Sequence, residues 1–124
     1  MPMIPSSNTP VFDLPFLSVT GLAAPRHGAR ETCVWRLTLA PGAPGTPHSV
    51  DREEIFVALE GQARMSTGGR DMIVRPGDTL IVPAGEQFSH SNPGSVPFVA
   101  MAVLPVGGKA VLPGGESFSP PWTE

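Results

Sequence analysis

The chain has a single cysteine, no run of lysine or arginine, and no apolar stretch of the ~18 residues that a membrane-spanning helix needs. Each absence removes a class of function. Cys33 can form no disulfide within the chain, and its place in an alternating apolar run reads as a buried thiol, not a nucleophile. Without clustered cations, and with a formal net charge of -3, the chain lacks the electrostatic footprint of a nucleic-acid-binding protein. The opening MPMIPSSNTPVFDLP has neither a basic region before an apolar core nor a small-residue cleavage site, so a soluble, cytoplasmic protein is expected. No glycine-rich phosphate loop is present, because Gly68-Gly69 and Gly114-Gly115 precede neither a lysine nor a helix pattern. The serines Ser89 and Ser91 lie in no strand-elbow-helix context, which argues against a serine nucleophile.

What the chain does have is turn chemistry. Its 124 residues include 14 glycines and 16 prolines, which would interrupt helices repeatedly, and this favours one all-β domain over residues 1–124. Glu31 to Ala40 (ETCVWRLTLA) alternates Cys33, Trp35, Leu37 and Leu39 against Val34, Arg36 and Thr38, the period of a half-buried strand. EEIFVALEG is apolar on both faces, so it needs cover from a second sheet or from another subunit, and a homodimer is expected. QARMSTGGRDMIV reads as a hairpin about Gly68-Gly69; Thr79 to Val82, Phe88 to Asn92 and Val96 to Gly107 supply further strands. Residues 1–10 read as a loose arm and 11–106 as a barrel. The tail 107–124 carries Val111, Leu112, Phe118 and Trp122, which need burial and are expected to pack across that barrel. Met65, Met72 and Met101 suit packing more than metal ligation.

Two segments share a plan: Gly42-x5-His48-x-Val50-x3-Glu54-x6-Gly61 and Gly77-x5-Pro83-x-Gly85-x2-Phe88-x3-Asn92. They resemble the paired motifs of the cupin superfamily, G-x5-H-x-H-x3-E-x6-G and G-x5-P-x-G-x2-H-x3-N. The resemblance implies a double-stranded β-helix, or jelly-roll barrel, of the small single-domain RmlC-like bacterial type, which is often a homodimer with a small-molecule cavity at one mouth. In metal-bearing members the three histidines and the glutamate hold a divalent transition metal (Fe, Mn, Ni, Cu or Zn). Of those four positions His48 and Glu54 keep a ligand, whereas Val50 and Phe88 cannot donate an electron pair. The implied metal site is degenerate.

His90 lies two residues beyond Phe88 on the same face, so His48, Glu54 and His90 have the composition of a two-histidine, one-carboxylate iron site. Two residues along a strand is roughly 6.6 Å, a large displacement for a ligand. Without metal, the same three residues are candidate catalytic groups, because burial raises a carboxylate pKa, lowers that of imidazole and poises both for proton transfer. The expected pocket comprises Trp35, Val50, Phe56, Phe88 and Met101. Three functions stay open: a metal-independent isomerase, lyase or cyclase acting on a small carbonyl or aromatic compound; a metal-dependent dioxygenase or isomerase; and a non-catalytic ligand-binding module. Against any catalytic role stands the reading that His48 and Glu54 merely satisfy each other as a remnant of an ancestral site. Asp51, Arg52 and Glu53 read as a solvated turn, and Arg36 and Arg64 as surface residues.

Overall fold

A computed structural model describes all of residues 1–124, and almost every regular element in it is a strand. Six strands form one sheet: β1 (Val11–Leu14), β2 (Leu17–Ala23), β3 (Thr32–Leu39), β5 (Glu54–Glu60), β8 (Thr79–Val82) and β10 (Phe98–Pro105). Their order is β1-β2-β3-β10-β5-β8, antiparallel wherever neighbours pair. The facing layer comes in two pieces. One is β7 (Arg70–Val74), β6 (Ala63–Thr67) and β9 (Phe88–Ser91); the other is β12 (Ser117–Phe118), β11 (Ala110–Val111) and β4 (Ser49–Val50). A bridge joins them: the His48 N–H donates to the Phe88 carbonyl at 2.9 Å, and the Phe88 N–H returns the bond at 2.8 Å. The result is a jelly-roll barrel whose second wall is stitched together at the position where the two motifs meet.

Alternation determines which residues face inward. Cys33, Trp35, Leu37 and Leu39 of β3 are all buried, as are Ala100, Ala102 and Leu104 of β10. On β5 the buried series is Glu54, Phe56 and Ala58, so its first inward residue is a carboxylic acid. Ile55 and Val57 face the other way, half-buried, and Leu59 is exposed.

Two framework residues of the motifs have visible physical causes. Asn92 is buried and fully bonded: its amide nitrogen donates to the Leu39 and Val96 carbonyls at 3.0 and 2.9 Å, and its side-chain oxygen accepts from the Gly94 N–H at 3.0 Å. Gly61 has φ 68°, and a Cβ there would lie 2.1 Å from the Pro97 carbonyl oxygen, so no larger residue fits.

The tail forms part of the wall. β11 pairs with β4, Thr123 is buried, and the Cys33 thiol donates to the Thr123 carbonyl oxygen at 3.4 Å. Sequence periodicity misses β4, β11 and β12, since a two-residue strand has no period to read.

Candidate functional site

Between the layers lies a cavity of about 570 Å³, and 14 of its 22 lining residues are hydrophobic. It can therefore hold a small apolar molecule whose orientation depends on very few polar groups. The ionisable ones are His48, Glu54 and His90, which all reach this one cavity from the residue before β4, β5 and β9; Thr46 and the indoles of Trp35 and Trp122 are the other polar groups. No lysine or arginine lines it. Arg36 and Arg64 are exposed, as is the Asp51-Arg52-Glu53 loop.

Glu54 is 4% exposed, and burial alone pushes its carboxyl from the usual range up to about 8. No side-chain hydrogen bond in the protein offsets that burial, so near pH 7 the protonated form is favoured. Glu54 is then a neutral acid with a proton to give. His48 is not its partner. The His48 Nδ1 lies 2.8 Å from the Thr46 carbonyl oxygen, which can only accept, so Nδ1 carries the hydrogen and Nε2 keeps the lone pair. The reading in which His48 and Glu54 simply satisfy each other is not what the side chains do.

His90 sits in an aromatic cluster, its ring centroid 6.2 Å from His48, 5.8 Å from Phe56 and 6.2 Å from Phe88. Desolvation, and then the proximity of His48, lower its pKa to about 4, so it is neutral in all but acid solution. Gly45 permits this packing: at φ 79° it brings its backbone so near that a Cβ would meet the His90 carbonyl oxygen at 2.8 Å.

Of the residues expected in the pocket, Trp35, Val50 and Phe56 line it, and two do not. Met101 pairs in register with Arg36 and Val57, while its neighbours Ala100 and Ala102 are buried; alternation therefore turns Met101 to the outer face of the sheet. Phe88 is 2% exposed and belongs to the packed core, its ring 4.5 Å from that of His48 and 6.0 Å from that of Phe56, and it does not line the cavity. The cavity also takes residues that strand patterns do not reveal: Leu14 to Leu17 from the β1–β2 turn, and Leu112, Phe118 and Trp122 from the tail. The signal for the tail was present, because apolar residues in a Pro/Gly-rich segment must be covered by something.

A four-ligand metal centre does not fit these residues. Val50 and Phe88, both 2% exposed, put hydrocarbon at two of the four positions, and no three His, Cys, Asp or Glu side chains are grouped to share an ion. The relocated triad of His48, Glu54 and His90 does not converge either. Protein purified without chelator is accordingly expected to hold less than about a tenth of an equivalent of transition metal by elemental analysis. Saturating Fe(II), Mn(II), Ni(II), Cu(II) or Zn(II) should move the melting temperature by under about 2 °C, where a site filled at a hundred times its Kd would add about 10 °C.

A family model described as a cupin domain matches residues 35–104. Auxin-binding protein 5 of Zea mays is 32% identical over 77 residues, covering 62% of this chain and 49% of that protein, so the chain spans about half the length of this curated relative. Among solved structures, the polyketide cyclase RemF from Streptomyces resistomycificus superposes with a TM-score of 0.77 at 19% identity, over 85% of this chain and 79% of that one. An RmlC-like cupin from Shewanella frigidimarina gives 0.69 at 17%, over 80% and 85%. At those identities the likeness extends to the fold. No helix is long and apolar enough to cross a membrane.

Proposed function

The chain belongs to the cupin family, and from that premise we propose that its cavity binds a small, neutral aromatic or carbonyl compound and moves a proton on it without a metal. The observation that carries this reading is Glu54: a buried, protonated carboxyl facing an apolar cavity with no partner in the protein. A buried polar group left unpaired costs stability unless a ligand uses it. An anionic ligand would find no cation in the wall and a carboxyl that could ionise against it, so the ligand is neutral when bound.

The step follows from the two groups. A ketone oxygen accepts the Glu54 O–H while the His48 Nε2 lone pair takes a proton from the α-carbon. The C–H electron pair becomes the new C=C bond, and the carbonyl π pair moves onto oxygen, which takes the Glu54 proton. The enol can then be protonated elsewhere, expel a β-leaving group, or add to a second carbonyl. These outcomes are isomerase, lyase and cyclase chemistry respectively. The fold-level neighbour named as a polyketide cyclase is compatible with the last. Lowering of the His90 pKa keeps a competing positive charge out of the site.

A homodimer is part of the proposal. Leu59 and Ile81 are exposed on the outer face of the large sheet, beside half-buried Ile55, Val57 and Met101, an apolar surface suited to a second copy. The cytoplasm is the proposed compartment, consistent with a single buried free thiol.

The test uses 1-tetralone, a neutral bicyclic ketone, in deuterated buffer. Deuterium entering the α-position faster than in buffer alone, by NMR, is the expected result. Saturable binding with no exchange would instead identify a ligand-binding module. Neither binding nor exchange would overturn the assignment of the cavity to neutral aromatic ketones.

A further inference from the structure

The β1–β2 connection is the two-residue turn Pro15-Phe16 between Leu14 and Leu17, which pair across it. Phe16 adopts φ 65°, and it is the only residue other than glycine with positive φ. Such a conformation strains any side chain with a Cβ, and glycine is the residue that occupies it without strain. Strain of this kind is normally offset by burial or by a specific bond. The backbone supplies a bond, Ala40 N–H to the Phe16 carbonyl at 2.8 Å, but glycine would make it equally well. Burial offsets only part of it, since Phe16 is 52% exposed and stands outside the core cluster.

Phe16 nevertheless lines the cavity. A residue that is half-exposed and also lines a cavity marks its opening, and Phe118 of β12, 43% exposed, does the same from the tail. The opening is thus bordered by two exposed aromatic rings from opposite ends of the chain. Leu17, Trp35, Trp122 and Glu54 line the same cavity.

Resting on the reading that this cavity holds a neutral aromatic ligand, we propose that Phe16 is a ligand-contacting, specificity-determining residue, kept in a strained turn so that its ring stacks on the aromatic part of a ligand seated below. Backbone strain that the fold repays only in part marks a position held for function. The ring selects ligands with a flat aromatic end at the mouth, because stacking and edge contacts reward a ring there and not a compact aliphatic group.

The test uses N-phenyl-1-naphthylamine, a neutral fluorescent aromatic compound, with wild type, Phe16→Gly and Phe16→Trp. Both tryptophans of the chain line the cavity, so energy transfer from tryptophan to the probe reports binding there; for Phe16→Trp, which adds a third, the probe's directly excited emission is read. Phe16→Gly should melt at the wild-type temperature or above while binding the probe about tenfold more weakly, and Phe16→Trp should bind within about threefold of wild type. Wild-type affinity in Phe16→Gly overturns the inference and leaves the cavity reading standing. A lower melting temperature in Phe16→Gly, or weaker binding that tracks dissociation of a dimer by light scattering, makes Phe16 a folding or subunit contact and also overturns it. No energy transfer in wild type removes the cavity reading, and this inference with it.

Discussion

Replacing Glu54 by glutamine is expected to reshape the dependence of stability on pH, and to make the variant the more stable protein in alkaline solution. Between pH 4.5 and about 8 the unfolded chain has released the Glu54 proton while the folded chain keeps it. The folded state therefore loses ground as pH rises, by about 1.4 kcal/mol per unit and at most about 5 kcal/mol in total. His90 acts in the opposite sense. From 6.5 down to about 4 the unfolded imidazole is protonated and the folded one is not, so stability falls as pH falls, by at most about 3 kcal/mol. Where the two windows overlap, from 4.5 to 6.5, the slopes cancel and wild type should show a plateau. Above 6.5 only Glu54 acts, and wild type should lose about 2 kcal/mol by pH 8. Glu54→Gln keeps the shape of the side chain and removes the titration. Its stability should rise from pH 4 to 6.5 and then stay level, so that the gap between the proteins changes by up to about 5 kcal/mol across the range. Denaturant melts at half-unit pH intervals measure this directly, and parallel curves for the two proteins would refute a raised Glu54 pKa.

Rate effects should be comparable in size. His48→Ala removes the base and is expected to slow α-deuteration of 1-tetralone by about a hundredfold or more. Glu54→Gln retains a hydrogen-bond donor but has no proton to transfer, and a drop of about tenfold to a hundredfold is expected. The pH dependence separates the roles. Wild-type exchange should fall as pH rises through about 8, where Glu54 ionises, and the residual exchange of Glu54→Gln should lack that limb. Variants that bind the ketone and exchange it at the wild-type rate would remove His48 and Glu54 from the proton transfer.

The fold was legible because its determinants are local and periodic. Cys33 to Leu39 and Phe98 to Leu104 alternate cleanly, and the motif positions Gly61 and Asn92 are constrained by a backbone approach and a filled hydrogen-bond set that no other residue satisfies. The placement of His48 and Glu54 on one inward face was implied by the cupin resemblance, and alternation from Phe88 added His90. Distances between strands were not legible, because register across the barrel is set by the His48–Phe88 bridge and by pairings far apart in sequence. Met101 was misplaced for a related reason: its run VPFVAMAVLPVG is apolar on both faces, so alternation alone cannot say which face is inside. The contribution of Phe16 to the cavity depends on a strained turn that leaves no pattern in one sequence, whereas the apolar residues of the tail signalled burial for Trp122 without saying against what.

The account stands on one chemical statement, that Glu54 is a neutral acid near pH 7 in the ligand-free protein. Carbon-13 NMR of protein labelled at the glutamate side-chain carboxyl, with the Glu54 resonance assigned by its absence in Glu54→Gln, follows that proton directly. A titration midpoint near 8 is the predicted result. A midpoint in the ordinary glutamate range, near 4.5, would mean that Glu54 is ionised at neutral pH and would contradict the proposed acid and the neutral ligand together.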